Sequence, residues 1–420
     1  TWRYEITEHT INGGIKRKKS AKHFTATRDV QKTQTNITRI SIVSVDSMQT
    51  DLTPVSLLTG YLGSGKTTVL NYLLRQPSLA RSVVIINEFG DIGLDHELVE
   101  ASTESMVLLQ SGCLCCTIRG DLIDTLHDLL NRRDRGAIEP FDRIIIETTG
   151  LADPAPIIHT LITDGLVGQE LRLDGVIATI DAATGSATLD AQPEAVKQAA
   201  MADRILLTKT DLAGPHALHE IEMRLRALNS GAVPIRTYQG VVEPSQILNV
   251  DLYDCCNKIE DVQVWLNAEA YRQLGREHND SRHHHHNVNR HDDRISAVSY
   301  IINDPIPAST FNLWLQTMMM LSGPRILRLK GIIHVECIPT PFVLNGVQHI
   351  FHPPILLDNW PSDDRRTRIV LIGHDLTEQF LQDSFAFLGS VTRKAHNNNS
   401  INKSTGRNDR SGRDHGDLTA

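Results

Sequence analysis

The sequence lacks any run of 18 or more apolar residues among its 420 positions. A helix that crosses a bilayer needs a stretch of about that length, so the pattern indicates a protein without a membrane-spanning helix. The first four residues, Thr1 to Tyr4, show no apolar core of the kind found in a secretory signal. We therefore expect a cytoplasmic protein with no membrane partner.

Cysteine and positive charge are also scarce. Six cysteines are too few for a disulfide scaffold, and the net charge of −8 would repel a phosphate backbone. We therefore expect no nucleic-acid partner. The apolar fraction of 40% and the charged fraction of 22% are close to those of a globular protein, and the length allows two domains.

Both ends of the chain show little pattern of regular structure. Residues 1–50 combine a basic run at 16–19 with Thr, Asn and Gln, and we expect a disordered extension there. Two interpretations of residues 1–47 stay open: a translated leader before a start at Met48, or a disordered basic tail. Residues 391–420 are rich in Asn, Ser, Arg, Asp and Gly and are predicted to be a disordered tail.

Short apolar runs alternate with longer amphipathic segments between residues 51 and 240. Apolar strands separated by helices are typical of a parallel sheet that is covered on both faces, which predicts an α/β domain. The strands are predicted at 55–58, 82–86, 143–146, 175–180 and 204–207, and a helix is predicted at 121–130.

The remainder of the chain is predicted to hold a linker and a smaller domain. Residues 241–294 are predicted to be a linker that is polar in its second half, and residues 295–390 mix strands at 296–302 and 368–372 with a helix at 311–321. This pattern indicates an α+β domain. Cys337 lies in a strand-like segment at 332–338, so we expect it in a strand and in the core.

The strongest motif is a full match to the phosphate-binding loop at residues 60–67, placed between a predicted strand and a predicted helix. Its glycines let backbone N–H groups turn towards phosphates, and the helix N-terminus favours an anion. Lys66 is predicted to reach the β- and γ-phosphates, and the Thr67 hydroxyl to bind Mg²⁺. The candidate nucleotide-binding residues are Gly60, Gly63, Ser64, Gly65, Lys66, Thr67 and Thr68.

Two later strand ends complete a nucleotide site. Glu147 ends an apolar strand, where it is predicted to hold Mg²⁺ through water, and the N–H of Gly150 is predicted to contact the γ-phosphate. Asp211 is predicted to accept hydrogen bonds from guanine N1–H and its amine, which adenine cannot offer, while Lys209 packs along the base. These features favour GTP over ATP.

Three thiols within four residues form a second kind of motif: Cys113, Cys115 and Cys116. Three thiolates around Zn²⁺ leave a fourth position for an exchangeable ligand, which predicts an open and transferable site. A further cluster in the linker contains His283, His284, His285 and His286. This cluster is predicted to collect Zn²⁺, Co²⁺ or Ni²⁺, although a solvated polar linker is the alternative.

Together these motifs resemble the CobW-like metallochaperone GTPases of the YjiA type, a group related to UreG and HypB. The resemblance is carried by residues 60–67, Asn87 to Gly90, 112–116, 147–154 and 208–211, and it continues at 327–331, 346–348 and 369–373. Thr208 departs from the general GTPase pattern, which usually has Asn before the Lys, and we expect its hydroxyl to make a local hydrogen bond.

The resemblance implies a P-loop domain with a mainly parallel sheet, followed by a smaller α+β CobW C-terminal domain. It implies a GTPase that binds Zn²⁺ or Co²⁺ through Cys113, Cys115 and Cys116 and delivers the ion to a client metalloenzyme. Glu88 lies in the family's switch region and becomes a candidate carboxylate that senses nucleotide or metal. A cobalt-handling component of cobalamin synthesis and a zinc storage protein remain alternatives, and the oligomeric state, a homo-oligomer included, stays open.

Overall fold

The computed structural model describes eleven stretches of the chain: residues 6–7, 39–40, 52–89, 106–111, 117–249, 295–321, 325–348, 350–351, 354–357, 359–377 and 379–386. Two short strands, β1 (Ile6–Thr7) and β2 (Arg39–Ile40), form an antiparallel pair. The other described residues form an N-terminal domain (52–249) and a C-terminal domain (295–386). None of the helices in these stretches is long and apolar enough to cross a membrane.

The N-terminal domain alternates strands and helices along most of its length, as the apolar runs predict. A short 3₁₀ helix (Pro77–Leu79) precedes β4. In chain order the elements are β3 (Thr53–Gly60), α1 (Lys66–Leu74), β4 (Ser82–Phe89), β5 (Met106–Ser111), α2 (Thr117–Asp134), β6 (Arg143–Thr148), α3 (Ala155–Thr163), α4 (Val167–Glu170), β7 (Leu171–Asp181), α5 (Gly185–Ala191), α6 (Pro193–Met201), β8 (Arg204–Thr208), α7 (Pro215–Leu228), β9 (Pro234–Arg236) and α8 (Pro244–Ile247).

These strands form one parallel sheet in the order β5-β4-β6-β3-β7-β8-β9. Neighbouring residues of β3 enter separate cores, since Leu57 packs in one cluster and Leu58 in another. Burial on both faces explains why the strands are continuous apolar runs without alternation. The prediction of an α/β domain with a mainly parallel sheet is therefore confirmed.

The position of β3 determines where functional groups can meet. It lies between β6 and β7, so β4, β5 and β6 lie on one side of β3, and the chain crosses to the other side between β6 and β7. Ligands of open α/β sheets bind at the carboxyl ends of strands where the order reverses in this way. The segments that follow β3, β6, β7 and β8 all begin at that edge.

The C-terminal domain is an antiparallel sheet with helical segments packed on it, which confirms the α+β prediction. The elements are β10 (Ile295–Ile302), α9 (Ala308–Leu321), β11 (Ile326–Ile333), β12 (Phe342–Val347), β13 (Ile350–Phe351), β14 (Ile355–Leu356) and β15 (Thr367–His374). The strand order in the sheet is β10-β15-β11-β12-β13, and β14 also pairs with β12. Residues 379–386 are helical.

The prediction for Cys337 was wrong. Strand β11 ends at Ile333, and the chain then turns, because the carbonyl of Val335 accepts a hydrogen bond from the N–H of Ile338. Val335 is buried, whereas Cys337 is exposed and has a positive φ of 64°. A strand-like pattern that continues from a strand end into a turn cannot be distinguished from a longer strand by composition alone.

The two domains share one hydrophobic core. Leu327, Val347 and Ile372 of the C-terminal sheet pack in the same cluster as Ala200 and Met201 of α6. The opposite face of that sheet covers α9, whose Phe311 and Trp314 are fully buried. The C-terminal sheet is therefore covered on both faces, on one of them by the N-terminal domain.

Candidate functional site

The loop at residues 60–67 connects β3 to α1 at the carboxyl edge of the sheet. Gly60 has a φ of 148°, and a Cβ there would lie 2.2 Å from the Thr179 hydroxyl oxygen. Gly65 caps α1 with a φ of 91°, and no described side chain caps that helix end. The N–H groups of the first turn are therefore available to an anion.

Lys66 and Thr67 begin α1 beside the strand end of β6. The buried ammonium of Lys66 donates to the carbonyls of Gly60 at 3.0 Å and Tyr61 at 3.4 Å. The hydroxyl of Thr67 donates to Glu147 Oε1 at 3.2 Å, and Glu147 is only 4% exposed. A hydroxyl and a carboxylate this close supply hard oxygen ligands of the kind that Mg²⁺ prefers.

The segment that starts with the last residue of β6, residues 148–153, packs directly on the phosphate-binding loop; we call it loop 148–153. A Cβ on Gly150 would lie 2.6 Å from the backbone nitrogen of Leu62, so only glycine permits this contact. The amide of Gln198 in α6 donates to the carbonyls of Gly150 at 3.2 Å and Ala152 at 3.0 Å. The N–H of Gly150, predicted to contact a γ-phosphate, therefore lies on a loop that is packed against Leu62 on one side and hydrogen-bonded to Gln198 on the other.

The segment after β8 is joined to the same loop. Thr208 Oγ1 lies 2.7 Å from the carbonyl oxygen of Ser64, which stands 144 residues earlier in the chain. Lys209 adopts a φ of 51°, and its ammonium lies 2.8 Å from Asp181 at the end of β7. Asp211 is exposed next to them.

Asp181 keeps its charge despite partial burial. Burial raises the pKa of its carboxyl, but hydrogen bonds from Lys209 and from the backbone of Ala183 and Thr184 outweigh this, and the net pKa falls below its usual value. The backbone hydrogen bonds are 2.8 Å and 3.1 Å long. The Asp181 carboxylate therefore holds the Lys209 ammonium beside the segment that follows β8.

Three features of the site were not predicted from the sequence. Asp181 ends an apolar strand as Glu147 does, so the same rule could have found it. A turn at residues 238–241 approaches α1, because a Cβ on Gly240 would lie 2.8 Å from the carbonyl oxygen of Thr68. Gln198 is fully buried in a helix, and no sequence signal distinguishes it from a core residue.

The predicted metal ligands lie mostly outside the described residues. Cys113, Cys115 and Cys116 belong to the connection between β5 and α2, and His283, His284, His285 and His286 belong to the connection between the domains. Glu88 lies in β4 opposite Gln110 of β5, with its side chain outside the described set. Among the residues that are described, no three His, Cys, Asp or Glu side chains gather as a metal site.

Comparisons with known proteins match both domains. The family model for the CobW/HypB/UreG nucleotide-binding domain matches residues 54–236, and that for the cobalamin synthesis protein cobW C-terminal domain matches residues 295–388. The chain is 32% identical over 336 residues to the zinc chaperone YjiA of Escherichia coli (strain K12), covering 80% of this chain and 98% of that protein.

Two further comparisons agree. The chain is 35% identical over 211 residues to the zinc-regulated GTPase metalloprotein activator 1 of Schizosaccharomyces pombe, covering 48% of this chain and 50% of that protein. The crystal structure of Zn(II)-bound YjiA GTPase from E. coli superposes with a TM-score of 0.60 at 27% identity, covering 80% of this chain and 99% of that one.

Proposed function

Because the chain belongs to the CobW/HypB/UreG family, we propose that it is a GTPase that binds zinc and delivers it to a client metalloprotein. The observation that carries the nucleotide part is the contact of Thr67 with Glu147 beside the phosphate-binding loop. Relatives named as zinc chaperones and as a zinc-regulated GTPase support the metal part.

The phosphates would be held by the backbone N–H groups of residues 60–67 and by Lys66. The Lys66 ammonium already lies within the loop, on the Gly60 carbonyl, and a short movement would bring it to the β- and γ-phosphate oxygens. Thr67 and Glu147 would hold Mg²⁺, which when bound neutralises charge between the two phosphates. Catalysis would rest on positioning and charge stabilisation, so we expect slow turnover.

The base would be read at the end of β8. The Asp211 carboxylate would accept from guanine, and the stem of Lys209, held by Asp181, would lie along the ring. The hydrogen bond from Thr208 to Ser64 joins this segment to the phosphate-binding loop. Base binding would therefore support the arrangement of the phosphate site.

The cargo ion would be bound by Cys113, Cys115 and Cys116. Their connection starts where β5 ends, at the same sheet edge as the nucleotide site, and three thiolates leave a position that a client ligand can enter. GTP would favour one arrangement of this connection and GDP another, so hydrolysis would change the affinity for zinc. Glu88, near the end of the adjacent β4, would take part in that response.

The test is the zinc affinity of the full chain with GTPγS and with GDP, together with its rate of GTP and ATP hydrolysis. We expect the two nucleotides to change zinc affinity by about fivefold or more. Cys115→Ser should weaken zinc binding by at least about tenfold, whereas Cys337→Ser, at an exposed turn of the other domain, should not weaken it.

Three outcomes would overturn parts of the proposal. Equal zinc affinity with both nucleotides would remove the coupling. Preference for ATP with cobalt would favour the cobalamin alternative. If deleting His283 to His286 removes most of the bound zinc, and if GTP hydrolysis has no effect on zinc release, the alternative of a zinc storage protein would be favoured.

A further inference from the structure

Gln198 links the loop that would read the γ-phosphate to the helix that carries the C-terminal domain. Its side chain is fully buried, and its amide nitrogen donates to two carbonyls that are two residues apart, Gly150 and Ala152. Its Oε1 is buried and has no hydrogen-bond partner within the described part of the chain. The hydrogen bonds of this amide therefore go to loop 148–153.

Helix α6 is fixed to the C-terminal domain immediately after Gln198. Ala200 and Met201 pack in the core shared with the C-terminal sheet. Asp203, just beyond the helix, is buried and forms ion pairs with Arg328 and with Lys330, the latter at 2.7 Å. Only five positions therefore separate the residue that holds loop 148–153 from the residue that binds strand β11.

We propose that Gln198 is a positioning residue that transmits the position of loop 148–153 through α6 to strand β11 of the C-terminal domain. The inference rests on the proposed GTPase function, since a γ-phosphate is what would move Gly150. The inference adds to that function a physical route by which a change of bound nucleotide would affect the C-terminal domain.

Three features make this route stiff. Gly150 is packed so closely on Leu62 that a shift of the phosphate-binding loop must move the carbonyl that Gln198 binds. Because one amide nitrogen binds two carbonyls, both the orientation of loop 148–153 and its distance from α6 are restrained. The far end of α6 is held by Asn229, whose amide donates to the carbonyls of Ala199, Ala200 and Ala202. Packed interfaces of this kind shift between discrete arrangements and do not deform continuously.

A neighbouring ion pair between Lys197 and Asp153 adds little to this coupling. Its atoms are 3.6 Å apart and both side chains are about one third exposed, so solvent screens the attraction. The transmission is therefore assigned to the buried amide.

The experiment compares hydrogen exchange of the full chain with GTPγS and with GDP. Peptides that cover residues 60–68 report nucleotide binding, those that cover 148–153 report the loop, and those that cover β11 report the C-terminal domain. In the wild type we expect the two nucleotides to give different exchange in all three. In Gln198→Met, which keeps length but removes the donors, the loop response should remain and the β11 response should fall by about fivefold or more.

Lys197→Met is the matched control, because it removes another contact between the same helix and loop 148–153, the solvent-screened ion pair with Asp153. It should leave the β11 response in place. The same variants should give a split in kinetics, with Gln198→Met lowering kcat while KM for GTP stays within about twofold. If Gln198 had a merely structural role, its replacement would lower the exchange response of loop 148–153 and that of β11 together.

Survival of the β11 response in Gln198→Met, or its equal loss in Lys197→Met, would overturn the inference. If Gln198→Met does not fold, Gln198→Asn replaces it. The wild-type protein also tests the inference by itself, because equal exchange of β11 with GTPγS and with GDP would overturn it. Absence of protection at 60–68 with either nucleotide would instead show that the proposed GTPase function is wrong.

Discussion

The hydroxyl oxygen of Thr208 lies 2.7 Å from the carbonyl oxygen of Ser64, so the segment that would read the base is hydrogen-bonded to the loop that would hold the phosphates. The same hydroxyl lies 3.1 Å from the carbonyl of Ile180 in β7. A hydroxyl has one proton, and the shorter contact identifies Ser64 as its main acceptor. A Thr in place of Asn therefore still connects the two parts of the site.

Thr208→Val should weaken GTP binding by about fivefold, because a buried hydrogen bond contributes about 1 kcal/mol. Titration with a fluorescent GTP analogue measures this. Thr208→Ser keeps the hydroxyl and should bind like the wild type. Equal binding by the Val variant would show that the contact with Ser64 does not support the site.

Gly150→Ala should lower the rate of GTP hydrolysis by about a hundredfold, since the new Cβ would lie 2.6 Å from the Leu62 backbone and would displace one of the two loops. Single-turnover kinetics measure the effect. The control is Gly168→Ala in α4, where an added Cβ meets nothing within 4 Å. Comparable rates in both variants would contradict the close packing of loop 148–153.

Asp203→Asn should lower the free energy of unfolding by about 3–5 kcal/mol, because it leaves the cations of Arg328 and Lys330 buried without their counter-charge. Asn keeps the shape of the side chain, so the change tests the charge. Asp153→Asn removes an ion pair with Lys197 in which both side chains are about one third exposed, and it should cost less than about 1 kcal/mol. Urea denaturation of the two variants decides, and equal losses would contradict a charged domain interface.

The stability of the wild type should rise with pH relative to Lys330→Met. Burial lowers the pKa of Lys330 to about 8; Asp203 opposes this and Arg328 adds to it. Between pH 8 and the ordinary value of 10.5 the unfolded chain therefore binds more protons than the folded chain, so raising the pH favours folding. Below pH 8 both states are protonated and the dependence ends.

Urea denaturation at pH 7.5 and pH 9.5 measures this dependence. The difference between the wild type and Lys330→Met should change by about 2 kcal/mol in favour of the wild type at the higher pH. Subtracting the variant removes the titration of all other groups. A constant difference would show that the pKa of Lys330 is not lowered.

Local patterns predicted much of the N-terminal domain. All five strands predicted there are present, each extended at one or both ends, because an apolar run with a turn signal on either side is a property of adjacent residues. Strand β9, only three residues long, carries no such signal. In the C-terminal domain, the strand predicted around Cys337 was wrong, because the same composition occurs in the end of a strand and in the turn that follows it.

The partners of Gln198 and Asp203 could not be predicted. Gln198 binds a carbonyl 48 residues earlier in the chain, and Asp203 binds a guanidinium 125 residues later. Nothing in the adjacent sequence distinguishes these side chains from others of their type. Their roles appear only when packing brings the distant segments together.

The sequence by itself determined the phosphate-binding loop, its place between a strand and a helix, the thiol motif and the division into two folded parts. These depend on glycines, turns and apolar periodicity within short segments, where each residue acts on near neighbours. The tertiary structure decided that β3 lies between β6 and β7, that Glu147 meets Thr67, and that α6 joins the loop at Gly150 to the C-terminal sheet. Those relationships arise from strand order and shared core packing, which are properties of the whole chain.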